Sequence, residues 1–457
     1  MFFYISFLRT PPHTSSPSSS ITITPQVSND LRTDPFPASV DIFYWWISYA
    51  QQQNVIVRLS DPAKLTTWRQ ENAYKPLQVS PPSQKNHFGT DCCLVLSSSS
   101  IISSLIIDLR DPNVGRVPFP VSSLPIQIVI PRATGHGGGG GGGGGRGSIK
   151  SAKQEAITRT FRLFHENEDE DASMASANGR GNPPLMQIKE MVSFDLDKKL
   201  WDSGIGLSAW LVQLSAAHAS PTADTHSSSS FTIVQELEER LFTLEECHII
   251  ELGAGTGIVS LVLAALRSAI TTNSRRCPAS SASFETHIFS TDLPSSMELM
   301  DHNIRGNSAL YPHCPPRALP LNWDEELPDI VRNVLERRGF DLIVQTHLLT
   351  FPFFYFLSRM ADVTYNTSSF PALLRTLASL LALSDSRNDD GDHAGGTVVQ
   401  RGPLVLLAYK ERDPGERQLW DMMIAEPEVG VVLECVGKQA GAGGLPVEIW
   451  LGRRKRE

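Results

Sequence analysis

The residues best suited to chemistry concentrate in HIIELGAGTGIVSLVLAAL, residues 248–266. An apolar, β-rich run feeds a glycine turn, and the turn feeds a run with helical spacing. A ligand would therefore sit beyond the strand's carboxyl end, at the start of the helix. Glu251, Gly253, Gly255 and Gly257 give the pattern E-x-G-x-G-x-G. Glycines so placed let the backbone take positive φ and approach a ligand closely. The same spacing argues against two phosphate binders. A dinucleotide fingerprint would need glycine where Ile258 stands, and no Gly-Lys-Ser/Thr follows to make a P-loop. A second acid, Asp292, closes the next β-like run, THIFSTD.

The elements that must position these residues read as an alternation. HIIEL (248–252), THIFSTD (286–292), RALPLNW (317–323), FDLIV (340–344) and PLVLLAYKER (403–412) are strand-like. Between them lie helical runs: GIVSLVLAALRSAI, SSMELMDHNIRGN, LPDIVRNVLERRG and SSFPALLRTLASLLAL. Such a beat predicts βαβ units on a parallel sheet covered on both faces. GVVLECVG and LPVEIWLGR, separated by KQAGAG, predict a closing β-hairpin. Upstream, TRTFRLF (158–164) and LMQIKE read as a short strand extension, and GLSAWLVQLSAAH as an amphipathic helix. The expected fold class is α/β, Rossmann-like, with a mostly parallel sheet ending in an antiparallel hairpin.

The remaining sequence sets bounds. Residues 1–150 carry recurrent Ser/Pro clusters and then nine consecutive glycines, 137–145. Glycine tracts maximise chain entropy and bury nothing, so this part reads as a low-complexity, disordered arm with a flexible tether. SLIIDL and PIQIVI within it have strand character. The formal charge of −9 over 457 residues argues against a general nucleic-acid binder. The closing GRRKRE reads as a solvated basic tail. The six cysteines form no C-x-x-C pair and no zinc spacing, which predicts reduced thiols, no metal site, and a cytoplasmic, also nuclear, location. MFFYISFL lacks the basic start of a secretory signal, and LLTFPFFYFL is too short to span a bilayer, so no membrane partner is expected.

Several segments recur together in a known order. KKLWDSGIGLSAWL, IELGAGTGIVSL, STDLP, LNWDEE and ADVTYN resemble successive landmarks of methyltransferase family 16, the METTL21-like S-adenosylmethionine-dependent protein-lysine methyltransferases. The resemblance covers about 158–457 and implies a seven-strand methyltransferase domain over 151–457. It implies S-adenosylmethionine as cofactor and a protein with an exposed lysine as partner. It places Glu251, Gly253, Ala254, Gly255 and Gly257 at the cofactor's cationic amino-acid end, and Asp292 at its ribose. Trp201 lies near the cofactor, Trp323 walls the adenine, and Ala361 precedes the D-x-x-Y motif of Asp362 to Tyr365. Asp362 and Tyr365 are the implied catalytic residues. The alternatives are a small-molecule or other-residue methyltransferase on the same fold, and a catalytically silent cofactor-binding protein. No N-P-P-Y or D-P-P-Y stretch is present, which argues against amide- or base-directed amino methylation.

One feature breaks the resemblance. In FDLIVQTHLLTFPFFYFLSRMADVTYN, removing 345–359 leaves FDLIVMADVTYN, a continuous strand and acidic loop. The fifteen extra residues have neither helical nor alternating pattern, and place Pro352 mid-run. They read as an insertion of the kind a translated retained intron produces, with a substrate lid as the alternative.

Overall fold

The computed structural model describes residues 1–50, 55–82, 91–129, 152–165, 184–193, 195–219, 231–243, 246–274, 287–346, 369–385 and 402–455. Seven strands form the sheet that carries the glycine loop. They are β14 (His248–Leu252), β15 (His287–Asp292), β16 (Arg317–Pro320), β17 (Leu342–Gln345), β18 (Leu404–Lys410), β19 (Val431–Gln439) and β20 (Val447–Arg454). Their order is β16-β15-β14-β17-β18-β20-β19. Pairings from β16 through β18 are parallel, while β20 runs antiparallel to both its neighbours. The chain steps outward from β14 to β16, then returns to β17 on the other side of β14. That reversal opens a crevice at the carboxyl end of β14, where doubly wound sheets bind ligands.

Both faces of this sheet are apolar because both are covered. Along β14, Ile249 joins one core cluster and Ile250 the other. On the first face pack α1 (Asp202–Ala219), α2 (Ile233–Phe242) and α3 (Ile258–Ser274). On the second lie α5 (Asp329–Arg337), α6 (Phe370–Asp385) and α7 (Gln418–Ala425), with α4 (Met297–Gly306) at the β16 end. Helix α2 was not expected from the serine-rich run before it. Its start is a capping box: Gln235 N donates to Thr232 Oγ1 at 3.2 Å, and Thr232 N donates to Gln235 Oε1 at 2.8 Å. The strand expected over 317–323 ends at Pro320, so Trp323 lies beyond it.

Residues 4–128 correct the expectation of a disordered arm. They form β1 (Tyr4–Arg9), β2 (Thr14–Ser15), β3 (Ile21–Ser28), β4 (Val40–Ala50), β5 (Val55–Arg58), β6 (Ala63–Trp68), β7 (Leu77–Val79), β8 (Asp91–Ser97), β9 (Ile106–Asp108), β10 (Val121–Ser123) and β11 (Ile126–Ile128). Trp45, Trp46 and Trp68 are fully buried among them, at 0–1 % exposure. Several of the polar residues that suggested disorder serve the fold. Ser97, Ser122 and Ser123 are buried in strands, and Ser123 Oγ accepts the Leu94 amide. The glycine tract 137–145 lies outside the described residues.

Residue 150 is not a boundary between independent packings. β12 (Ala156–Arg162) pairs with β13 (Met186–Met191) on one edge, and with β9 and β10 on the other. The core of the first sheet face also takes in Phe2, Tyr4, Phe119 and Phe161. The N-terminal β unit and the seven-strand sheet share one interior. Among the described residues no helix is long and apolar enough to cross a membrane, and no His/Cys/Asp/Glu group could hold a metal. Cys92, Cys93, Cys247 and Cys314 are buried and Cys435 is exposed, and none of these five forms a disulfide.

Candidate cofactor and active site

The glycine loop connects β14 to α3, and its backbone explains its sequence. Gly253, Gly255 and Gly257 have φ of 68°, 56° and 81°. Residues with a Cβ rarely adopt that region. Gly257 is also tight: an added Cβ would stand 3.2 Å from Met300 Cγ and 3.3 Å from Leu261 Cδ1. Ala254, between the glycines, donates its amide to Thr291 O at 3.0 Å, tying the loop to the end of β15.

Two carboxylates frame the loop. Glu251 is fully buried. Its Oε2 accepts from Ser260 N at 3.0 Å and Ser260 Oγ at 2.5 Å, and its Oε1 accepts from Thr346 Oγ1 at 2.9 Å. Burial pushes its carboxyl up to about 7, although these hydrogen bonds pull the other way. Asp292 ends β15. Its Oδ2 accepts the Gly255 amide at 2.7 Å and its Oδ1 the Leu293 amide at 2.6 Å. Burial raises it to about 6. The loop is thus lined by two acids that a nearby cation would favour in their charged form.

The segment entering α1 closes over this loop. Its carbonyls at Asp197 and Lys199 would stand 3.6 and 3.7 Å from a Cβ at Gly255. Ser295 Oγ donates to Asp197 Oδ2 at 2.6 Å. Trp201 is 5 % exposed, and its Nε1 donates to Leu196 O at 2.9 Å. The Arg412 guanidinium sits over its ring, 5.3 Å from the centroid. On the far side, Leu321 N donates to Asp292 O at 2.8 Å, bringing the β16 turn to the mouth of the loop. Trp323 follows within the second apolar cluster, 8 % exposed. The structure therefore gathers Trp201, Glu251, the glycine loop, Asp292 and the Trp323 turn at one end of the sheet. Ala361, Asp362 and Tyr365 lie outside the described residues.

Two partners of Glu251 were not anticipated. Ser260 is legible in hindsight as a polar residue in the first turn of an otherwise apolar helix. Thr346 is not, because it falls inside the apparent insertion. Gln345 is the last residue of β17, paired with Leu252 and Leu407, and Thr346 also donates to Gly253 O at 3.2 Å. The first two residues of the apparent insertion are therefore built into the strand end. The other thirteen lie outside the described residues.

This strand order, with its positive-φ glycine loop, an acid one residue before the end of β14 and another ending β15, is that of a Rossmann-like methyltransferase fold. Residues 181–387 match the family model described as lysine methyltransferase. The mouse protein N-lysine methyltransferase METTL21A is 30 % identical over 146 residues, 32 % of this chain and 49 % of its own length. The chain thus spans about half the length of this curated relative. Among solved structures, magnesium protoporphyrin IX methyltransferase from Synechocystis PCC 6803, with bound SAM, is similar over 54 % of this chain and 84 % of its own, at 9 % identity and a TM-score of 0.27. TYW2 from P. horikoshii, in complex with MeSAdo, is similar over 50 % and 65 %, at 14 % identity and a TM-score of 0.23.

Proposed function

We propose that the chain transfers a methyl group from S-adenosylmethionine to a lysine side chain of a protein, in the cytoplasm and nucleus. The observation that carries this reading is the match of 181–387 to the lysine methyltransferase family, centred on a loop whose three glycines all have positive φ. The site's chemistry fits the cofactor. Each Asp292 oxygen accepts one backbone N–H, which leaves lone pairs for ribose hydroxyls. Glu251, poised near neutrality, suits a cationic amino-acid end. Gly253, Ala254, Gly255 and Gly257 would hold that end, Trp201 and Trp323 would wall the rest, and Ala361 would complete the pocket.

S-adenosylmethionine, when bound, supplies an electrophilic methyl group on a sulfonium. The chain's residues must present a neutral amine to it, because an ammonium has no lone pair. Burial lowers a lysine pKa and a neighbouring carboxylate raises it, so Asp362 is better suited to orienting the amine than to deprotonating it alone. It would also help a water take the proton. Tyr365 would shape the lysine channel. Alignment of nucleophile and methyl group then supplies most of the rate.

The test uses the full chain, methyl-labelled S-adenosylmethionine and lysate from cells lacking the gene, followed by hydrolysis of the labelled proteins. Label is expected in methyl-lysine and is expected to vanish with Asp362→Ala. A chain that binds cofactor yet labels only a small metabolite, or nothing, would overturn the protein-lysine reading.

A further inference from the structure

The residues around Trp201 are held by carboxylates that the transfer chemistry does not require. The two amides flanking it are both captured. Leu200 N donates to Glu190 Oε2 at 3.2 Å, and Asp202 N donates to Asp30 Oδ2 at 3.0 Å. Asp30 comes from the N-terminal β unit, just beyond β3, and its side chain is fully buried. It also receives both guanidinium ends of Arg412, at 3.1 and 2.5 Å. Arg412 follows β18, and its guanidinium also lies over the face of Trp201. One buried residue of the N-terminal unit thus fixes Trp201 twice, through the next residue's amide and through the cation stacked on the ring. Burying such an ion pair is costly, and its best-attested return is the fixing of one arrangement.

Resting on the functional reading above, we propose that Asp30 and Arg412 are positioning residues for the cofactor wall: the N-terminal β unit, through Asp30, sets the place of Trp201 and so the affinity for S-adenosylmethionine. The unit is then part of the binding site and more than an appended fold. Arg412 touches the indole face, and a planar guanidinium that both forks onto a carboxylate and stacks on a ring cannot be replaced by an ammonium. The side chain of neighbouring Asp202 accepts Phe2 N at 3.0 Å and Tyr4 Oη at 2.8 Å, which fastens the same seam by bonds separate from those of Asp30 and Arg412.

The test measures S-adenosylhomocysteine binding by calorimetry for the full chain. Coupling between groups in contact predicts that Arg412→Lys weakens binding about fivefold or more in the parent, and less than about twofold in a Trp201→Phe background. Asp30→Asn should behave alike, and serves if Arg412→Lys fails to fold. Tyr4→Phe, which loosens the seam alone, should leave affinity unchanged. Equal loss in both backgrounds, or folded variants with parental affinity, would overturn the proposal and leave the pair a structural staple. Failure of the parent chain to bind at all would instead sink the functional reading, and the inference with it.

Discussion

Glu251 carries a proton problem that its surroundings create. Its carboxyl stands at about 7 against an ordinary 4.5, because burial outweighs three hydrogen bonds. A carboxyl raised in the folded state takes up a proton on folding, so stability falls as pH rises from about 4.5 to about 7. Glu251→Gln should flatten that slope, measured by urea unfolding at several pH values, with Asp202, raised by burial to about 7, supplying much of what remains. A bound cation reverses the preference. Cofactor binding near pH 6.5 should therefore release protons, as calorimetry in buffers of different ionisation enthalpy would report, and Glu251→Gln should remove most of that release. The role of Glu251 was legible from its place before the glycines. Its partner Thr346 was not, since only the folded strand brings position 346 beside position 251.

At the scale of elements, two glycines near the site make opposite demands. Gly257 turns the chain with φ of 81° into α3 against Met300, so Gly257→Ala should cost about 1–2 kcal/mol or more in urea unfolding. Gly306 ends α4 with open space around it and no left-handed backbone, so Gly306→Ala should be neutral or stabilising by up to about 1 kcal/mol. Both are glycines beside a helix, and sequence alone separates them only by the pattern around Gly257. The seven-strand sheet was readable for the same local reason. The four central strands β15, β14, β17 and β18 are apolar runs buried nearly throughout and bounded by turns, and the closing hairpin carries its own glycines. The N-terminal strands were not, because their polar members Ser97, Ser122 and Ser123 are inward-facing and their partners lie far along the chain.

The whole molecule depends on pairings that cross residue 150. Deleting residues 1–150 would strip β9 and β10 from β12 and expose an edge bearing Ile157 and Phe161, both buried in the intact chain. Unprotected edges of this kind pair with one another. The 151–457 fragment should therefore self-associate or precipitate in sedimentation experiments, and a monodisperse, cooperatively folded fragment would contradict this. The deletion would also leave Arg412 without Asp30. Removing one partner of a buried pair costs about 3–5 kcal/mol, so Asp30→Ala alone should destabilise the full chain on that scale in denaturant titration. No sequence pattern announces this pair, because nothing local links an aspartate in a turn to an arginine 382 residues later.

That separation also sets a clock. Ribosomes add roughly 5–20 residues per second, so Arg412 follows Asp30 into the growing chain after about 20–75 s, given the 382 residues between them. Once residue 162 has been added, the N-terminal strands are complete while Asp30 still waits for its cation and β12 for the sheet it leads to. The nascent chain must hold a charged, half-built seam away from other nascent chains until residue 412 emerges, so crowding of unfinished chains is the condition under which this separation costs most.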